Sequence, residues 1–242
     1  MEPTSELYGA LQTAYEHFNR TLFDGKLPKI IFTAQRQKGV MGYFSADRWV
    51  ARNGDRCHEI AINPQYVGKS ALIEVFQTIV HEQCHLLQHC YGKPGRRGYH
   101  NKEWGGMMES VGLMPSSTGR PGGKKTGEKM NDYPIPGGRF LKECESLVSS
   151  DFDLPWVDRY STGDSKPHTE LAAEYELSEE STVKLTTALV EYFDQDSFVQ
   201  PGENKPVNSK AKYTCPSCQV NVWGKPGLSI ACTECGVGFS EV

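Results

Sequence analysis

The chain has no apolar run approaching the roughly 18 residues of a membrane-spanning helix, which argues against an integral membrane role. Its first residues, "MEPTSELYGALQ", lack the basic start and apolar stretch of a secretory leader, so the sequence reads as intracellular and cytoplasmic. Hydrophobic residues make up only 38 % of 242, so a globular core is possible but not generous. The length suits one large domain, or one domain and a small module. With no sign of an oxidising compartment, the eight cysteines read as metal ligands or buried thiols rather than disulfides. Cys57, Cys84, Cys90 and Cys144 are scattered; the other four form two C-x-x-C pairs near the C-terminus.

Net charge is −4, and this average hides an asymmetry. Lys93 to Arg139 carries a net +5, whereas Ser150 to Glu203 carries −10. The first stretch predicts a basic surface. The second predicts an acidic segment that either folds over that surface or stays loose.

Hydrophobic spacing predicts an α+β protein. Leu7, Leu11, Ala14, Tyr15, Phe18 and Leu22 recur at helical spacing, and Gly25 and Pro28 end that helix. Three β-rich runs follow, "KIIFTA", "VMGYFS" and "HEIAIN", separated by glycines and a polar turn. They predict a small antiparallel or mixed sheet with hairpin connections. Ser70 to Tyr91 is helical with a wide apolar face, as in a buried core helix. A second helix runs from about Asn101 to Val111, with Trp104, Met107, Met108 and Val111 on one side. Pro115 to Gly138 reads as loop, Phe140 to Val148 as a short helix, and the acidic stretch as linker with one helix at "TVKLTTALVEYF". The expected boundaries are a domain over 1–148, an acidic, partly helical linker over 149–208, and a small module over 209–242.

"VHEQCHLLQHCYGKPGRRGYHNKEW" holds four of the seven histidines. His81, Glu82 and His85 spell H-E-x-x-H within the core helix. Residues four apart share a helix face, so two imidazoles can grip one zinc ion with Glu82 beside it to act on bound water. A catalytic zinc takes a third protein ligand and keeps one position open. His89 continues the spacing but lies about 12 Å from His81 along the axis, too far for one ion to reach while also binding His85. His100, separated from His85 by fourteen residues and past a glycine-rich turn, is the leading candidate, with Glu103 and Glu109 as rivals.

"YTCPSCQVNVWGKPGLSIACTECGVGF" carries Cys215, Cys218, Cys232 and Cys235. Two C-x-x-C knuckles thirteen residues apart, joined by strand, turn and strand, predict a four-thiolate structural zinc ribbon. With no open position this second zinc folds a module too small for its own core.

The stretches "HFNRTLFDGKLP", "MGYFS", "VHEQCHLLQH" and "GYHNKEWGGMMESVGLMPS" together resemble the SprT-like zinc metalloproteases, whose eukaryotic relatives include Spartan. The resemblance covers about half the chain closely and extends to the ribbon. It implies a zincin-like domain in which His81, His85 and His100 bind the catalytic zinc and Glu82 is the base. It also implies proteins as substrates, including DNA-bound or DNA-crosslinked ones, and DNA as a partner and activator.

The expected function is zinc-dependent peptide hydrolysis, the substrate adding as a strand beside "VMGYFS" or "HEIAIN". Tyr43 and Tyr99 are weak candidates for stabilising the oxyanion. Arg96, Arg97, Lys124 and Lys125 are candidate DNA contacts, with Trp104 or Trp223 as stacking partners. Two alternatives stand beside it: a non-enzymatic nucleic-acid or transcription-associated adaptor, and a metal-dependent hydrolase of another substrate.

Overall fold

The computed structural model describes residues 2–161, 175–199 and 210–242, and the chain divides into two compact units, Met1–Val199 and Gln200–Val242. Among the described residues no helix is long and apolar enough to cross a membrane.

The first unit is a mixture of helices and small sheets. Helix α1 (Pro3–Leu22) starts on a proline, whose missing N–H costs nothing in a first turn, and buries Leu11, Ala14, Tyr15, Phe18 and Leu22. Asp24 and Gly25, both left-handed, turn the chain into β1 (Ile30–Ala34). Strands β2 (Gly42–Val50) and β3 (Arg56–Ile62) form a hairpin, and β3 also pairs parallel to β1, giving a mixed sheet in the order β1-β3-β2. The "HEIAIN" run is therefore central and paired on both sides, so only β2 of the two expected runs offers an open edge. A bulge between Ser45 and Trp49, with Asp47 left-handed, bends that edge.

After a short helix, α2 (Pro64–Val67), the core helix α3 (Leu72–Tyr91) begins where the Glu74 carboxylate accepts the Ala71 N–H at 2.8 Å. Its apolar face is dry. Phe76 meets the rings of Phe18 and Phe152 at centroid distances of 5.3 Å each. Truncating such a ring to alanine costs about 3–5 kcal/mol, so this cluster anchors the helix that carries the histidines. Helix α4 (Lys102–Val111) is capped by Asn101 and ends at left-handed Gly112. Strands β4 (Leu113–Ser116) and β5 (Asn131–Pro134) then pair antiparallel, and α5 (Arg139–Val148) follows. Strand β5 and the second half of β4 lie inside the stretch expected to be loop.

The expected linker over 149–208 departs from the structure where it is described. Phe152, Leu154, Tyr175, Leu185 and Leu189 are buried in the first unit's core. The Leu189 and Val190 amides donate to the Ser70 and Gly68 carbonyls at 2.9 and 2.7 Å, and Arg36 pairs with Asp158 at 2.8 Å. The helix α6 (Glu179–Thr186) stops where Ala188 bridges Ala71, and 3₁₀ turns continue from Leu189. A few apolar residues spaced among many acids hold this cover at the start of α3. Residues 162–174 and 200–209 of the expected linker lie outside the described residues.

The second unit contains two small sheets. Strands β6 (Ala211–Thr214), β7 (Asn221–Gly224) and β10 (Ser240–Glu241) form one in the order β10-β6-β7; β8 (Ala231–Cys232) and β9 (Val237–Gly238) form the other. Among its described residues the buried side chains are Tyr213, Cys215 and Cys232, too few to make a core by themselves.

Candidate active site

His81 and His85 lie one turn apart on α3, their ring centroids 5.1 Å apart. His100, buried at 8 % exposure, stands immediately before the α4 cap, and its Nε2 faces His85 Nε2 at 3.1 Å. Ligating atoms of the three rings all lie within 4.8 Å of one another. Three imidazole nitrogens on one zinc would sit roughly 3.4 Å apart, given Zn–N bonds near 2.0–2.1 Å. His89 points elsewhere: its ring packs against His58 and Phe44, with centroids 5.1 and 5.8 Å away. The rival acids are also engaged. Glu103 accepts the Lys93 N–H and the Gln88 amide at 2.7 Å each, and Glu109 pairs with Lys125 at 2.8 Å.

The orientation of the rings comes from residues that spacing does not reveal. His81 Nδ1 lies 3.0 Å from Asp132 Oδ2 on β5, and Asp132 Oδ1 accepts from Gln77 Nε2 at 2.9 Å. His100 Nδ1 lies 3.1 Å from the Gly127 carbonyl, and the two residues also exchange backbone hydrogen bonds of 2.8 and 3.1 Å. Partners on both Nδ1 atoms leave both Nε2 atoms for a shared ion, the arrangement in which outer hydrogen bonds select the tautomer of metal-binding histidines. Trp104 lies against all three rings, stacked on His85 at 5.1 Å and edge-on to His81 and His100 at 4.8 and 4.5 Å. The donor set, its burial and its tautomers fit zinc. Trp104 is fully buried, which rules it out as a stacking surface for DNA.

Burial, then the neighbouring His81 and His100, pushes His85 down to about 2; burial, then His81, takes His100 to about 4. Both are thus neutral at ordinary pH, the form in which imidazole binds a metal. Burial also opposes protonation of His81, but the Asp132 hydrogen bond and the charges of Glu82 and Asp132 outweigh it and raise its pKa. Burial raises the pKa of Glu82, 6 % exposed, against the opposing pull of His81 and a hydrogen bond from the Phe44 backbone of β2.

The tyrosine candidates fare differently. Tyr43 is directed to the sheet face opposite α3, where its hydroxyl reaches Glu59 at 3.3 Å; alternation along β2 puts Phe44, not Tyr43, on the histidine side. Tyr99 is exposed, with the Arg96 guanidinium 5.2 Å from its ring centre. Arg96 pairs with Glu128 at 2.6 Å and Lys125 with Glu109, and neither acid belongs to the acidic segment. Arg97 and Lys124 are exposed.

In the second unit the sulfurs of Cys215, Cys218, Cys232 and Cys235 lie within 4.8 Å of one another. The two knuckles match. The residue after each pair, Gln219 or Gly236, is left-handed and donates its N–H to the carbonyl of the pair's first cysteine at 2.9 or 2.8 Å. Hydrogen bonds led by the Cys218 backbone N–H pull the Cys215 thiol down to about 7, which favours a thiolate. Both clusters are potential metal sites consistent with zinc.

A family model described as the SprT-like family matches residues 11–121, which run from within α1 to just past β4 and include all three histidines. The "uncharacterized protein in mucB 3'region" of Salmonella typhimurium is 48 % identical over 50 residues, covering 21 % of this chain and 68 % of that protein. No solved structure matches the chain. The helical histidine pair, the third histidine beyond the glycine-rich turn and the sequence likeness agree: the chain belongs to the SprT-like family.

Proposed function

We propose that the first unit is a zincin-like, zinc-dependent metallopeptidase. The observation that carries this reading is Glu82, a buried acid adjoining the three histidines and tied to the backbone of an open sheet edge. His81, His85 and His100 would hold the zinc, which when bound supplies a Lewis acid and a water acidic near neutral pH. Glu82 stands where a general base would take a proton from an attacking water and return it to a leaving amine, and burial suits it to carrying that proton better than an exposed carboxylate. Around Phe44 the open side of β2 can pair with an extended substrate and present its carbonyl beside Glu82. The four cysteines would hold a structural zinc and so form a ribbon.

DNA-bound proteins are the substrate class this reading favours, with Arg96, Arg97, Lys124 and Lys125 as phosphate contacts near the third ligand. The exposed pairs of Arg96 with Glu128 and Lys125 with Glu109 are weak enough for phosphate to displace. The adaptor alternative leaves Glu82 without a task. The test is cleavage of a DNA-bound protein, with and without DNA, by chains of known zinc content. Cleavage requiring zinc and Glu82 supports the reading. Absence of cleavage by fully zinc-loaded protein, under both conditions, contradicts it.

A further inference from the structure

The turn from Gly92 to Tyr99 is almost wholly exposed, so its own packing cannot fix where it delivers His100. A group of side chains beneath it does so. Gln88 is 3 % exposed and stands three residues after His85 on α3. Its amide nitrogen donates to Asn101 Oδ1 at 2.8 Å and to Glu103 Oε2 at 2.7 Å, one hydrogen for each. The same Glu103 oxygen accepts the Lys93 N–H at 2.7 Å, while Asn101 Nδ2 donates to the Lys93 carbonyl at 3.0 Å. Asn101 Oδ1 also caps α4 by accepting the Trp104 N–H at 3.0 Å. The start of the turn, the end of the turn and the helix bearing His85 therefore meet at one amide.

Gly92 completes the arrangement. Its backbone is extended, so it is not there for a left-handed conformation. A β-carbon at that position would stand 2.8 Å from Glu103 Oε2 and 3.1 Å from Gln88 Cγ. Any larger residue there would have to push the Glu103 carboxylate off its hydrogen bonds. Hydrogen bonds from the Lys93 N–H and then Gln88 hold the Glu103 carboxyl below its ordinary pKa, so both acceptor oxygens are kept.

We infer that Gln88, Asn101 and Glu103 form a clamp of positioning residues that sets the distance between His85 and His100 and thereby the affinity of the histidine site for its metal. None of the three is a ligand. The clamp fixes the near side of His100, as the Gly127 carbonyl fixes the far side. This inference rests on the metal reading of the three histidines.

The experiment follows zinc transfer from the full-length chain to a chromogenic chelator. The phase abolished by His100→Ala reports the histidine site, and the remaining phase reports the four cysteines. Gln88→Leu keeps the bulk but removes both donors, and Glu103→Ala removes the shared acceptor. Each should release histidine-site zinc roughly 10–100-fold more readily, as loss of outer hydrogen bonds to metal ligands does. The double variant should fall short of the product of the two effects, because both remove one network. Glu103→Gln, which can still offer an oxygen to Lys93 N–H, should recover much of the loss. The cysteine phase and the melting temperature of the metal-free protein should change little. An unchanged histidine phase in Gln88→Leu, or a change matched by an equal loss of metal-free stability, would overturn the clamp. A wild-type chain with no His100-dependent phase would instead overturn the metal reading itself, and the clamp with it.

Discussion

The two clusters of potential metal ligands in this chain are built in opposite ways. The four cysteines lie within 21 residues, on two matching knuckles, in a unit whose described residues make almost no core. The three histidines come from a helix and a turn, and they are aimed by Asp132, 51 residues after His81, and by Gly127, 27 residues after His100. Four thiolates fill a tetrahedron and leave nothing for a substrate. Three imidazoles leave a position open and place a buried acid beside it. On the proposed reading, the contrast is one of where a bound metal's free energy would go: into folding in the cysteine unit, into chemistry in the histidine unit.

The largest expected effect follows from the cysteine side. Structural zinc contributes on the order of 10 kcal/mol to small modules of this kind, so Cys232→Ser should unfold residues 210–242 while leaving the first unit's melting transition in place. Amide exchange protection, measured per segment, checks this; a ribbon still protected without metal would break the comparison. Next comes the choice of third ligand. His100→Ala should lower zinc content at the histidine site by more than 100-fold in affinity, on the order expected when one of three ligands is lost, whereas His89→Ala should not change it. Competition titration measures both, and exchanged outcomes would reverse the assignment. A smaller loss, roughly 10–100-fold, is expected for Asp132→Ala, which leaves every ligand in place but frees the His81 ring. Smallest is the basic surface. Changing Arg96, Arg97, Lys124 and Lys125 together to alanine should weaken DNA binding at moderate salt and flatten its salt dependence, without altering zinc content. Unchanged binding would leave these cations as solubilising charge only.

Much of the fold could be read directly from residue patterns. The apolar stripe of α1, the buried face of α3 and the helix after His100 all stand where periodicity puts them, because each buries one continuous face. The spacing argument against His89 also agrees with its ring packing on Phe44 and His58. Three things could not be read. Strand β5 is four residues long and follows a glycine- and lysine-rich loop, so its Asp132 carried no signal of its long-range partnership with His81. The acidic segment reads as linker from its charge, yet Phe152 and Leu154, single apolar residues without a period, together with Leu185 and Leu189 decide where it packs. Tyr43 lies in the "VMGYFS" run expected beside the substrate, but alternation in β2 sends it to the other face of the sheet. Each miss depends on contacts between elements distant in the chain, which local pattern does not carry.

The most direct test of the central claim measures metal content and peptide-bond cleavage on the same samples of wild-type and Glu82→Ala protein. Both proteins should hold two zinc ions per chain, and only the wild type should cleave, since the variant loses the proton acceptor and none of the ligands; the loss should be at least about 100-fold. Equal cleavage by the variant, or zinc lost along with Glu82, would contradict the account.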